Sequence, residues 1–142
     1  MSESGTLRPL RRHCRCEGGG APARARREVR SLAEEAGAYG RPVPTAVREA
    51  ALLVASELVT NAVKYAPGPC GLDVVWSAGG LDIDVTDSNP TPPHGRRADP
   101  TGATGGYGWP LVRWLSSRVD VRPTQEGGKT VHAHIPVPPG AG

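Results

Sequence analysis

With 142 residues, 37% of them hydrophobic and none of them Phe, the chain can build one modest aliphatic core from Val, Leu, Ala, Ile and three Trp, and is too short for two domains. A net charge of +3 is mild, no apolar run approaches the roughly 18 residues of a membrane span, and no apolar leader opens the sequence, so a cytoplasmic protein without a membrane role is expected. Three cysteines, Cys14, Cys16 and Cys70, make no disulfide framework and are expected as reduced thiols.

Residues 1–9 read as a disordered start, and Leu10 to Cys16 (LRRHCRC) as a short edge strand with arginines facing water. Basic side chains crowd the first 30 residues, opposed only by Glu3, Glu17 and Glu28, and this end suits an acidic partner surface. Direct nucleic-acid binding is disfavoured, because no aromatic residue interleaves with the arginines and no reader motif is present. His13, Cys14 and Cys16 invite a metal reading. A structural zinc site needs four ligands, usually in two spaced pairs, so buried thiols on an arginine-rich strand are preferred. After EGGGA, Pro22 opens a helix to about Ala36, with Ala25, Val29, Leu32 and Ala33 on its inner face and Gly37 ending it. The AYGRPVP turn then delivers Pro44 to the start of the next helix.

The stretch Ala50 to Ala66 (AALLVASELVTNAVKYA) predicts a long, largely buried helix whose face carries Val47, Ala51, Val54, Leu58, Ala62 and Tyr65. Glu57 and Asn61, one turn apart, fall where this face meets the polar strip of Ser56, Thr60 and Lys64. A carboxylate and a carboxamide thus project together from a half-buried rim, where a bound ligand is one partner that would offset their desolvation. The plain alternative is a solvated edge on which Glu57 pairs with Lys64.

Pro67, Gly68 and Pro69 stop the helix and the period changes to two. Leu72, Val74 and Trp76 alternate with Asp73, Val75 and Ser77. After Ala78-Gly79-Gly80, Leu81, Ile83 and Val85 alternate with Asp82, Asp84 and Thr86, which makes a hairpin with one wet face. It ends at Asp87, on its own either a turn-capping residue or a site carboxylate. Residues 88–104 are nearly devoid of apolar side chains, and a loop this long is usually functional or disordered. Gly105-Gly106-Tyr107-Gly108 leads into a helix starting near Pro110, with Leu111, Val112, Trp114 and Leu115 as its apolar side. Glycines before a helix N-terminus suit phosphate. A second hairpin, Arg118 to Pro123 and Lys129 to Val137, closes the fold, and 138–142 is a tail. Gly128-Lys129-Thr130 is no P-loop: the first glycine of that motif would fall on Pro123, and VHAHI alternates as a strand.

In order, ELVTNAVKY (Glu57 to Tyr65), Asp87, GGYG (Gly105 to Gly108) and GGKT resemble the ATP-binding domain shared by gyrase, heat-shock chaperones, histidine kinases and MutL, the GHKL superfamily. The resemblance spans residues 10–137, and within the group it looks most like bacterial anti-sigma-factor serine/threonine kinases of the actinobacterial type. It implies an α/β (α+β) two-layer sandwich of Bergerat type, with a mixed, mainly antiparallel sheet and helices on one face. ATP and Mg²⁺ would be the cofactors. Asn61 would ligate Mg²⁺, Glu57 act as general base, and Asp87 accept from the adenine amino group. Gly105, Gly106, Tyr107 and Gly108 would line the phosphates, Thr130 would lie near the base, and residues 88–104 would form the ATP lid. Implied partners are a sigma factor or an anti-anti-sigma protein, together with a possible homodimer. A nucleotide-dependent binding module with little or no kinase activity is the alternative.

Three departures stand out. The superfamily usually has Asp-x-Gly beginning at its aspartate, whereas the third position in this chain is Asn89, the next best residue for a left-handed turn. Pro90, Pro92 and Pro93 stiffen the first half of the lid, and Tyr107 takes a place often held by Arg or His.

Overall fold

The computed structural model describes residues 8–92 and 108–139. In chain order the elements are β1 (Leu10–Cys16), α1 (Ala21–Ala38), α2 (Thr45–Tyr65), β2 (Cys70–Ser77), β3 (Gly80–Asp87), α3 (Gly108–Leu115), β4 (Arg118–Pro123) and β5 (Lys129–Pro136). The strands form one five-stranded sheet in the order β1-β2-β3-β5-β4. All its pairings are antiparallel. Two of them are the hairpins β2–β3 and β4–β5, whose short turns allow no other sense. The fold is the expected α+β sandwich, with α1 and α2 packed on one face of the sheet, which is antiparallel throughout where a mixed sheet was expected.

Strand alternation explains the two-layer build. Cys70, Leu72, Val74 and Trp76 of β2, Leu81, Ile83 and Val85 of β3, and Val131, Ala133 and Ile135 of β5 all turn to the helices and are buried. Across them lie Ala25, Val29, Leu32 and Ala36 of α1 and Val47, Ala51, Val54, Ala55, Leu58 and Val59 of α2. So many alanines on α2 let its backbone sit close to the sheet, and it becomes the axis of the domain, touching α1, α3, β2, β3 and β5.

The opposite face is polar and cross-linked strand to strand. Thr86 Oγ1 meets Thr130 Oγ1 at 2.7 Å, His134 Nδ1 meets Asp82 at 2.7 Å, His132 bridges Asp82 and Asp84, and His13 Nδ1 meets Asp73 at 2.8 Å. His13 therefore points away from Cys14 and Cys16, which face the core with their sulfurs 3.1 Å apart. Adjacent strand residues cannot converge on one ion, and among the described residues no cluster of three or more His, Cys, Asp or Glu could hold a metal.

Two expectations about the helices also change. Helix α1 runs through Gly37, because its stop is supplied by Gly40: at φ 74 it allows Gly40 N–H to reach Gly37 O (3.0 Å) and Arg41 N–H to reach Ala36 O (2.8 Å). The inner face extends accordingly to Ala36, leaving Ala33 half-buried. Trp114, expected on the apolar side of α3, is 84% exposed, while Val112 is the buried anchor. The short helix presents little more than one turn to α2, and Trp114 falls outside that contact.

Candidate functional site

Glu57 and Asn61 stand on successive turns of α2, both half-buried, as their i,i+4 spacing requires. Glu57 lies under the start of α3. The approach is so close that a Cβ placed on Gly108 would stand 1.9 Å from Glu57 Oε2. Burial pushes the Glu57 carboxyl above its ordinary value, with the Lys64 ammonium opposing that rise. Among the described residues neither Glu57 nor Asn61 makes a side-chain hydrogen bond, so both keep acceptor oxygens for something else.

One further turn along α2 is Tyr65, whose carbonyl belongs to the last turn and has no intrahelical donor. Asn89 Nδ2 donates to it at 2.8 Å, and Asn89 N–H donates to Asp87 Oδ1, also at 2.8 Å. Thr91 N–H closes the turn on Asn89 Oδ1 at 2.9 Å. No non-glycine residue among those described has positive φ, so Asn89 is not left-handed. The expected substitute for glycine is thus held by side-chain bonds in ordinary backbone geometry.

Asp87 ends β3 on the helix side of the sheet and is 8% exposed. Its partner is Lys129, directly opposite in the β3–β5 register and 6% exposed. Lys129 Nζ donates to Asp87 Oδ1 and Oδ2, each at 3.0 Å, and to Asn89 O at 2.9 Å. Removing one partner of a buried pair like this costs about 3–5 kcal/mol. Gly128 makes room for the turn beneath, since a Cβ there would stand 1.9 Å from Asp87 O.

The structure therefore gathers the expected residues into two linked groups along α2, roughly 12 Å apart by helix rise: Glu57 with Gly108, and Asp87 with Asn89, Lys129 and the end of the helix, Asn61 lying between. Thr130 joins neither. It sits in the opposite strand phase, on the open face against Thr86. Lys129, which sequence inspection passed over, holds the inward position. Counting back by twos from Ile135, Ala133 and Val131 would have found it. Gly105, Gly106, Tyr107 and residues 93–104 of the expected lid lie outside the described residues. A groove of about 570 Å³ also opens beside Asp87, but it is lined from the open face by Thr86, Asp73 and His13, and neither Glu57 nor Asn61 borders it.

A family model for the histidine kinase-like ATPase domain matches residues 20–135. The chain belongs to that family. No curated protein sequence matches it significantly. A histidine kinase-like ATPase domain implies ATP binding, and the match takes in both groups of residues, from α1 through β5. The domain has no described helix long and apolar enough to cross a membrane.

Proposed function

We propose that this ATPase domain binds Mg²⁺-ATP along α2 and transfers its terminal phosphoryl group to a serine or threonine of a protein antagonist, in the manner of an anti-sigma-factor kinase that also sequesters a sigma factor. Residues 10–137 would form the ATP-binding unit, with 88–104 as its lid. The observation that carries this reading is Glu57: a half-buried carboxyl raised by burial, pressed against Gly108 and engaged by no hydrogen bond among the described residues. A group in that state is a general base waiting for a donor.

In this reading Glu57 takes the proton from the attacking hydroxyl as that oxygen bonds to phosphorus and the bond to the ADP oxygen breaks. Asp87 accepts from the adenine amino group. Gly105, Gly106, Tyr107 and Gly108 contribute the phosphate end of the site. The residues present fit Mg²⁺, because Asn61 offers one free hard oxygen and Mg²⁺ is commonly held by few protein ligands, waters and substrate phosphates. Bound there, the ion would neutralise phosphate charge. Protein partners in the cytoplasm and a homodimer are proposed, with no direct nucleic-acid role.

Calorimetric titration with ADP and ATP, with and without Mg²⁺, tests the binding half. Asn61→Ala should abolish the Mg²⁺-dependent component, and Glu57→Ala should bind nucleotide yet transfer no phosphate to the antagonist. Unchanged transfer in Glu57→Ala removes the proposed base. Tight Mg²⁺-ATP binding with no transfer by the parent protein would leave a nucleotide-set binding module instead.

A further inference from the structure

We propose that Lys129 is a positioning residue for base recognition, which aims the one remaining acceptor site of Asp87 at the exocyclic amino group of adenine. The inference rests on the adenine-facing role proposed above for Asp87. Its support is a count of donors and acceptors. An ammonium has three protons, and Lys129 Nζ has three acceptors within 3.0 Å: Asp87 Oδ1, Asp87 Oδ2 and Asn89 O. Asp87 Oδ1 also accepts from Asn89 N–H at 2.8 Å, so both of its lone pairs are used. Oδ2 accepts from Lys129 alone and keeps a single lone pair.

Three consequences follow from that count. The carboxylate cannot rotate, because both oxygens are tied to one buried ammonium. The only vacancy it presents is an acceptor, which suits the amino group of adenine and repels the carbonyl oxygen that guanine carries at the same place. Lys129 has no proton left to welcome that carbonyl, so the ammonium adds rigidity without adding a competing donor. The same ammonium holds Asn89 O, and so fixes the turn in which asparagine stands where the resembling proteins have glycine.

The test compares ADP with purine riboside diphosphate, which lacks the amino group, on the full chain and on Lys129→Met. The parent protein should prefer ADP by about 10-fold to 100-fold, the range for a hydrogen bond to a charged group. In Lys129→Met the preference should collapse to within about threefold of unity, with the loss falling mainly on ADP. Equal weakening of both nucleotides, with the preference kept, would make Lys129 merely structural and overturn the proposal. No preference in the parent would overturn it as well. Failure of the parent to bind either nucleotide would instead refute the ATP-binding reading on which it rests. Should Lys129→Met not fold, nitrogen NMR of the unaltered protein decides: the Lys129 ammonium signal should shift with ADP and not with the analogue, and identical responses to both would overturn the proposal.

Discussion

Gly108 at the head of α3 and Glu57 in the middle of α2 are in such close contact that no side chain larger than hydrogen fits between them: an added Cβ would stand 1.9 Å from Oε2 and 2.6 Å from Cδ. Gly108→Ala must therefore push the carboxylate aside or lift α3. If Glu57 is the base, phosphotransfer should fall by about 100-fold or more, because displacements near 1 Å cost that much, while ADP affinity changes far less. Parallel kinase and calorimetric measurements check this. Full activity in Gly108→Ala would show that the placement of Glu57 against the helix does not matter.

The raised carboxyl of Glu57 has a stability signature. A carboxyl whose native pKa lies above its unfolded value holds its proton longer in the folded state, so stability declines as pH rises from about 4.5 through the native value and stays reduced above it. Glu57→Gln removes the titration. It should be more stable than the parent at neutral pH, equal to it near the acid end of that window, and inactive throughout. Urea unfolding at the two pH values provides the comparison, and a variant less stable at neutral pH contradicts the burial cost.

Glu28 behaves in the opposite sense. Burial pushes its carboxyl up, yet the Arg12 Nε hydrogen bond at 2.8 Å, aided by Arg24, outweighs that and holds it below the ordinary value. This contribution is complete above the unfolded carboxylate pKa and is lost as pH falls through the depressed native one. Because the pair ties β1 to α1, Arg12→Ala should lower stability at neutral pH by about 1.5–3 kcal/mol, and the difference should shrink in acid. A deficit independent of pH would assign the loss to packing.

The cysteines should be inert in the folded protein. Burial raises all three thiols, Cys14 to about 12 and Cys70 to about 11, so thiolate is scarce at neutral pH. Iodoacetamide should label none of them rapidly under native conditions and all three after denaturation. Fast native labelling would mean that β1 opens at the sheet edge.

Period and punctuation were enough to locate the elements. The switch from helical to alternating spacing at Pro67-Gly68-Pro69, and the two glycine turns, mark the helix and hairpins that the structure contains, with boundaries moved by one or two residues. The helix end at Ala38 is not legible in the sequence, because Gly37 and Gly40 look alike until the backbone shows which one carries positive φ. The exposure of Trp114 is not legible either, because the face that a short helix buries depends on its neighbours. That Lys129 and not Thr130 faces Asp87 follows from strand phase, which sorts adjacent residues onto opposite faces and is not visible in a motif read as a string.

The sequence by itself determined the alternation of layers, the i,i+4 pairing of Glu57 with Asn61, and the placing of Asp87 at a strand end, since these follow from fixed helical and strand periods. Only the tertiary structure decided what surrounds them. The buried ammonium on Asp87, the side-chain bond from Asn89 to the end of α2, and the glycine pressed on Glu57 join residues 24 to 51 positions apart, and contacts that distant depend on how the layers close.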